Sequence, residues 1–214
     1  MKRILSLMFV LGAFTLMSSA QETVTKESKE GEIRTLFGPD VSHGGYGAIT
    51  MGYTTINDED AWIVGGRAAW IIDHGFALGV GGFGLANDIP LDDQWVNDEK
   101  MSLIVGYGGI LLEPIFWAKA PVHLCMPILV AGGAVSMAPS SYWTEDYDWG
   151  AEYYHNDIIF VFEPGLELEL NLTKFMRLSG GVSYRVTSEI ELPGMDDDIL
   201  NGLSSTFSLK FGKF

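Results

Sequence analysis

The chain has 214 residues, a length that suits one domain of moderate size. Its formal net charge of −15 argues against nucleic acid as a partner. The hydrophobic fraction is 47%, yet no stretch after the N-terminal region reaches the roughly eighteen apolar residues of a membrane helix. The fold classes that remain are a soluble sandwich or barrel and a membrane β-barrel, whose segments are short and alternate.

Residues 1–20 have the layout of a secretory signal peptide. Met1-Lys2-Arg3 is a basic start, the run from Ile4 to Leu16 is mainly apolar, and Ser18-Ser19-Ala20 supplies small residues at a cleavage site. The alternative is a membrane anchor, for which the apolar run is short. We therefore expect Gln21 to be the mature N-terminus. Residues 21–40 are polar and charged, which predicts a flexible periplasmic segment.

Residues 41–214 are predicted to form a barrel of eight strands. Most of the strands are ten to fifteen residues long, which exceeds the soluble average of about five or six and suffices for a tilted membrane span of about nine to eleven. Their predicted bounds are 44–55, 62–73, 76–88, 101–117, 122–136, 157–171, 175–186 and 203–214.

Apolar and polar side chains alternate within these segments. In the sixth strand Leu166 and Leu168 share one parity, and Glu167 and Glu169 share the other. A strand separates such sets onto opposite faces, whereas a helix would mix them. The third strand is ambiguous because its apolar positions change parity, which predicts a bulge near Gly81-Gly82.

The links between predicted strands alternate in length. Links at 73–75, 118–121 and 172–174 are short, whereas 56–61, 89–100, 137–156 and 187–202 are mostly longer and acidic, with Lys100 as their only Lys or Arg. This pattern predicts an all-β, eight-stranded antiparallel up-and-down transmembrane β-barrel of the outer membrane. Both termini would be periplasmic and the long loops extracellular.

The polar parity of the strands carries equal numbers of opposite charges. An eight-stranded barrel is just wide enough for side chains to fill, and buried charges are tolerable when paired. We therefore expect a plugged, salt-bridged lumen with no open channel; the alternative is a proton or ion relay. The expected lumen charge network is Arg67, Glu113, Glu163, Glu167, Glu169, Arg177, Arg185 and Lys210.

Aromatic residues on the apolar parity gather at both ends of the strands. Tyr53 and Trp62 lie towards the long loops, and Trp70, Phe76 and Trp117 towards the short turns. Core packing explains any one of them, whereas placement at both rims is typical of interfacial belts.

The end of the chain, residues 205–214, resembles small bacterial outer-membrane β-barrels of the OmpA/OmpX-like superfamily, which commonly finish on an aromatic residue. The alternating set is Phe207, Leu209 and Phe211, and Phe214 falls out of phase, as a short tail or after a bulge. The resemblance implies that this segment is the signal read by the barrel-insertion machinery. Gly44-Gly45-Tyr46-Gly47 and Gly65-Gly66-Arg67 look similar to barrel proteins of the Bacteroidetes type.

The acidic loops are the candidate binding sites. Aromatic rings and carboxylates of the third loop could bind a glycan or a divalent cation; the simpler interpretation is an exposed acidic loop whose rings rest on the rim. The run 196–198 lacks the spacing of a dedicated calcium loop, and a solvated charge run is the simpler interpretation. The candidate residues are Trp143, Glu145, Asp146, Asp148, Asp196, Asp197 and Asp198.

No spacing indicates a catalytic or metal centre. His155 lies near Asp157 with serines in the same loop, but a triad needs hydrogen-bond geometry that spacing does not show. The other histidines are scattered, which predicts no metal site. Cys125, the single cysteine, is interpreted as a small interior side chain, with a catalytic thiol as the lesser alternative. We expect no cofactor.

Three functional classes remain. The first is a non-enzymatic barrel that stabilises the envelope or serves as an accessory subunit of a larger outer-membrane complex. The second is a surface protein whose acidic loops bind cations, cationic peptides or glycans. The third is a soluble periplasmic ligand-binding barrel. For the first two, the expected partners are outer-membrane lipid and the barrel-insertion machinery.

Overall fold

The computed structural model describes residues 41–96, 99–140 and 154–214. The predicted signal peptide and the segment 21–40 lie outside these residues, and both assignments stay predictions. No helix in the described residues is long and apolar enough to cross a membrane. Within the described residues the chain forms these strands: β1 (His43–Ile56), β2 (Glu59–Ile72), β3 (Phe76–Leu85), β4 (Pro90–Val96), β5 (Glu99–Phe116), β6 (Val122–Cys125), β7 (Ile128–Pro139), β8 (Tyr154–Asn171), β9 (Met176–Thr187) and β10 (Gly202–Lys213).

The strands close into a ring. β1 pairs antiparallel with β10, with Gly45 opposite Lys213 and Tyr53 opposite Ser205. From β1 the pairing runs through β2 and β3 to β5, and from β10 it runs through β9 to β8. β6 and β7 together fill the place between β5 and β8. The predicted eight-stranded antiparallel up-and-down barrel is confirmed, and its ring consists wholly of described residues. We call the end with the three short links the turn end and the opposite end the loop end.

β6 and β7 are two parts of one strand. Cys125 lies opposite Ile115 of β5, and Ile128 lies opposite Leu112, so the register is the same on both sides of the break. Pro127 stands in the gap and has no N–H to donate to the ladder. The interruption is therefore a missing donor and not a change of register.

The link 89–100 is a hairpin rather than a simple long loop. β4 pairs with the first residues of β5, with Leu91 opposite Met101. Ile89, Leu91 and Met101 are at most 4% exposed. Burial of these apolar side chains explains why the link forms a hairpin, because an open acidic loop would leave them exposed to water.

The predicted bulge near Gly81-Gly82 is wrong. β3 keeps one register with β2 and with β5 across this point. Phe83 and Leu85 point inwards and pack against buried apolar residues, so their change of parity reflects an apolar interior at the loop end. Glycine permits close strand packing at a neighbouring position of β3. A Cβ at Gly79 would overlap the backbone carbonyl of Ala68, a close approach that only glycine permits.

The outer wall of the barrel is apolar. Large side chains on this wall are each more than half exposed on five strands of the ring: Ile49, Val80, Ile110, Phe160 and Phe207. The sequence alternation therefore places large apolar side chains outwards along the middle of the strands, and polar ones inwards.

Candidate functional site: the barrel interior

Buried ion pairs fill the turn-end half of the interior. Lys210 lies at the centre, with Nζ 2.8 Å from Oε1 of Glu113 and 2.6 Å from Oε2 of Glu169. Arg67 donates from Nη2 to Oε1 of Glu167 at 2.8 Å. Each of these five residues is at most 6% exposed. Opposite charges at these distances are what makes burial of so many charged groups tolerable.

Arg177 and Phe214 lie at the turn end of this network. Arg177 donates from Nη1 to Oε1 of Glu169 at 2.9 Å, and its guanidinium carbon is 3.9 Å from the centre of the Phe214 ring. Phe214 has the same inward parity as Lys210, because the register of β10 with β1 is unbroken through Lys213. Both sequence alternatives for the phase of Phe214, a tail and a bulge, are therefore wrong. Phe207, Leu209 and Phe211 take the outward parity, and their role as an insertion signal stays a prediction.

Glu163 and Arg185 are joined through a tyrosine. Glu163 accepts hydrogen bonds from the Tyr107 hydroxyl at 2.8 Å and from the Ser183 hydroxyl at 2.6 Å. Arg185 donates from Nη1 to the Tyr107 oxygen at 3.3 Å and from Nε to the Leu200 carbonyl at 2.8 Å. Within the described part of the chain, these two charges form no direct ion pair. The eight expected residues thus divide into six with direct pairs and two bridged by Tyr107.

The loop-end half of the interior is mainly apolar, although the buried Arg185 also lies there. Leu103, Val135 and Ile159 from the strands are at most 1% exposed and belong to one cluster of buried residues. Sequence reasoning missed this half because it assigned all inward positions to the polar set. The inward Phe83 is the signal that could have revealed it.

The link 187–202 covers the loop end of this cluster. Ile190, Leu192 and Leu200 are at most 5% exposed and belong to the same buried cluster. The sequence predicts this link as a longer acidic loop, and its buried apolar residues are a finding of the structure. The acids of the same segment, Asp196, Asp197 and Asp198, are exposed. The segment therefore presents carboxylates outwards from an anchored backbone.

A small cavity lies between the charged and apolar halves. Its volume is about 40 Å³ and its lining includes Thr50, Arg67, Glu163, Ser204 and Thr206. A site for one water needs roughly 10–15 Å³ of such volume, so the cavity suits a few water molecules and not a solute. The Ser204 and Thr206 hydroxyls have no hydrogen-bond partner among the described residues, and such waters would satisfy them.

Two buried residues of β6 lie beside the ion-pair network. His123 is 2% exposed and Cys125 is 0% exposed. A ring nitrogen of His123, Sγ of Cys125 and a carboxylate oxygen of Glu169 lie within 4.8 Å of one another. Their proximity differs from the sequence reasoning, which considered the histidines together and Cys125 separately. The available signal was His-x-Cys on the inward parity of one strand.

Asp157 serves the backbone near the loop end. Its Oδ1 accepts the N–H of Ile158 at 2.8 Å and its Oδ2 accepts the N–H of Glu191 at 2.7 Å. Oδ2 thus holds β8 to the link 187–202, and both carboxylate oxygens accept backbone N–H groups rather than orient a histidine. His155 is exposed. The remaining loop candidates, Trp143, Glu145, Asp146 and Asp148, lie outside the described residues.

Several solved structures resemble this chain in fold, among them the following three. Neisserial surface protein A (NspA) aligns with a TM-score of 0.47 and 13% identity over 81% of this chain and 99% of its own. Ail, the attachment invasion locus protein of Yersinia pestis, aligns at 0.40 and 10% identity over 79% and 96%. Ail in complex with the heparin analogue sucrose octasulfate aligns at 0.41 and 10% identity, with the same coverage. No protein-family model and no curated protein matches the chain. Likeness at this level transfers neither a ligand nor a partner.

Proposed function

We propose that this protein is a non-enzymatic β-barrel of a bacterial outer membrane, with a closed interior, that acts as a structural or accessory subunit of the envelope. The observation that carries the proposal is an apolar outer wall around an interior filled by ion pairs and apolar side chains. Ile49, Val80 and Leu168 on this wall are each at least 60% exposed. Soluble monomers rarely expose contiguous apolar patches above a few hundred Å², and lipid is the solvent that such a wall fits.

The height of the apolar wall matches a bilayer. Tyr53 and Trp62 are paired across β1 and β2 near the loop end, with ring centres 5.2 Å apart. Trp70, 44% exposed, and Trp117, 75% exposed, lie near the turn end. Trp62 and Trp70 are separated by eight residues of β2, about 26 Å of strand. At a tilt of about 40° this gives a band about 20 Å high, close to the apolar band of outer-membrane barrels.

The filled interior supports a role other than passive transport. Among the described residues, ion pairs around Lys210 fill the interior at the turn end, and Ile190 and Leu200 cover the loop end. The cavity of about 40 Å³ lies between these two regions. The barrel would thus serve through its surfaces, in contact with lipid and with a partner in a larger outer-membrane complex.

The charge distribution suggests the orientation. Exposed acids such as Asp58 and Asp196 are at the loop end, whereas Lys119 and Lys174 are exposed at the turn end. The proposed orientation puts the loop end outside the cell and the turn end with both termini in the periplasm, as in outer-membrane barrels. Insertion would depend on the barrel-insertion machinery.

Fractionation of cells that express the chain tests the membrane assignment. We expect the protein in the membrane fraction, and after detergent extraction we expect unheated protein to migrate differently from boiled protein. Recovery in the soluble fraction, or identical migration of both samples, would contradict the proposal. A charged substitution on the outer wall tests the membrane assignment further. Val80→Asp should lower the folded fraction in lipid vesicles, while the apolar control Val80→Leu should not.

A second candidate is a surface that binds cationic peptides or cations. Hydrogen bonds within the loop fix the acidic run, with Ile190 N–H donating to the Asp197 carbonyl at 3.1 Å and Asn201 N–H to the Asp198 carbonyl at 2.8 Å. Replacement of Asp196, Asp197 and Asp198 by asparagine should abolish binding of a polylysine peptide to the folded barrel. Unchanged peptide binding would exclude this loop as the site.

A further inference from the structure

His123 and Cys125 project inwards from alternate positions of one strand, close to the turn end. The register puts His123 directly opposite Glu169 of β8. The cluster shares Glu169 with the ion-pair network, but the envelope role proposed above uses neither His123 nor Cys125. The cluster contains a thiol and an imidazole whose residues are at most 2% exposed, and the thiol of Cys125 is not in a disulfide.

The imidazole of His123 is oriented as a metal-binding histidine usually is. Its Nε2 lies 3.0 Å from Oε1 of Glu169. Arg177 and Lys210 contact the same carboxylate at 2.9 and 2.6 Å, and a carboxylate oxygen accepts a hydrogen bond from a ring N–H. A neutral imidazole that donates from Nε2 carries its lone pair on Nδ1. In the described part of the chain Nδ1 has no hydrogen-bond partner. Metal-ligating histidines typically donate their other N–H to a carboxylate in this way.

We propose that His123 Nδ1 and Cys125 Sγ bind one soft monovalent metal ion, Cu(I) or its chemical analogue Ag(I), with Glu169 as the positioning residue of the imidazole. On binding, the thiol S–H bond breaks, its proton leaves to solvent, and metal–sulfur and metal–nitrogen bonds form. No electron is transferred. Thiolate sulfur is the ligand that selects Cu(I), and imidazole also suits copper.

Charge balance distinguishes a monovalent from a divalent ion. The interior holds four acids and four bases, including Arg177 and Lys210 beside this site. A monovalent ion that replaces the thiol proton leaves the net charge unchanged. A divalent ion would add one positive charge next to two buried cations, which is costly in a low-dielectric interior.

The spacing also fits a two-ligand site. Collinear bonds of about 2.3 Å to sulfur and 2.1 Å to nitrogen, taken on the scale of zinc, span about 4.4 Å. One ring nitrogen of His123, Sγ of Cys125 and a carboxylate oxygen of Glu169 lie within 4.8 Å of one another. The cluster therefore has the dimensions of a linear S–metal–N site.

The test is titration of the folded full-length barrel in detergent micelles, without oxygen, with Cu(I) held by a chromophoric competitor, and in parallel with Ag(I). We expect one equivalent of each ion to bind and Zn(II) to bind more weakly. Cys125→Ser and His123→Gln should each weaken Cu(I) binding by at least about a hundredfold. The matched control is His74→Gln. It changes a half-buried histidine in a turn and should leave Cu(I) binding unchanged.

Heat-modifiable migration shows whether each variant is folded. If a variant fails to fold, X-ray absorption of the copper-loaded native barrel decides, because the site predicts one sulfur and one nitrogen ligand. Absence of Cu(I) binding, unchanged binding in Cys125→Ser or His123→Gln, preference for Zn(II), or a different ligand set would each overturn the proposal. These outcomes leave the envelope role untouched.

Discussion

Replacement of Lys210 by methionine removes the centre of the interior network while keeping similar length. Lys210 Nζ contacts Glu113 Oε1 at 2.8 Å and Glu169 Oε2 at 2.6 Å, and the residue is 0% exposed. After the change Glu169 still has Arg177 at 2.9 Å. Glu113 keeps the Tyr46 hydroxyl at 2.7 Å, while its nearest remaining cation, Arg67, is 4.0 Å away.

The uncompensated charge is therefore mainly that of Glu113. Loss of one partner of a buried pair costs about 3–5 kcal/mol, and the remaining contacts of both carboxylates place the expected loss near 3 kcal/mol. This loss in free energy of unfolding is measured by urea unfolding of the barrel in lipid vesicles, with gel migration as the readout of the folded fraction. A second change, Glu113→Gln, should recover about 1–3 kcal/mol because it removes the stranded charge.

Lys213→Met is the matched control, since Lys213 is on the same strand but exposed. Its free energy of unfolding should change by less than about 0.5 kcal/mol. If Lys210→Met costs no more than this control, or if Glu113→Gln gives no recovery, the network does not hold the interior together as argued.

Three further changes test other parts of the structure in the same unfolding assay. Gly109→Ala should cost about 3 kcal/mol because its Cβ would overlap the Val130 carbonyl, whereas Gly132→Ala, with open space, should stay within about 0.5 kcal/mol; equal losses would contradict the packing. Phe214→Ala should cost about 1–2 kcal/mol through its contact with Arg177 at 3.9 Å, and no loss would place the ring elsewhere. Leu200→Ala should cost about 2–5 kcal/mol and speed protease cleavage of the link 187–202; unchanged cleavage would mean that the link is not anchored.

The eight strands could be predicted because alternation and link length are local properties of the sequence. The side chains of a strand alternate between two faces, so Leu168 lies outside and Glu169 inside. A soluble barrel and a membrane barrel differ in which of these faces is apolar. The same alternation predicts which charged residues lie in the lumen. It does not predict their partners, because the strand register determines that Lys210 contacts Glu113 and Glu169 of other strands.

Apart from the phase of Phe214, the predictions that failed depended on the loop-end half of the interior. The position of Phe83 predicts a bulge only if the interior is polar throughout, and at the loop end the interior is mainly apolar. The apolar residues of the link 187–202, such as Ile190, pack into the buried cluster, and that contact spans distant parts of the chain. Proximity of His123 to Glu169 likewise depends on the pairing of β6 with β8.

Conductance across a planar lipid bilayer tests the closed barrel most directly. The protein is added as folded barrel, verified by its heat-modifiable migration, and its insertion is confirmed by co-flotation with the lipid. With the charged half around Lys210 and the cover formed by Ile190 and Leu200, we expect no steady open channel. A stable, well-defined single-channel conductance from the inserted protein would contradict a filled interior.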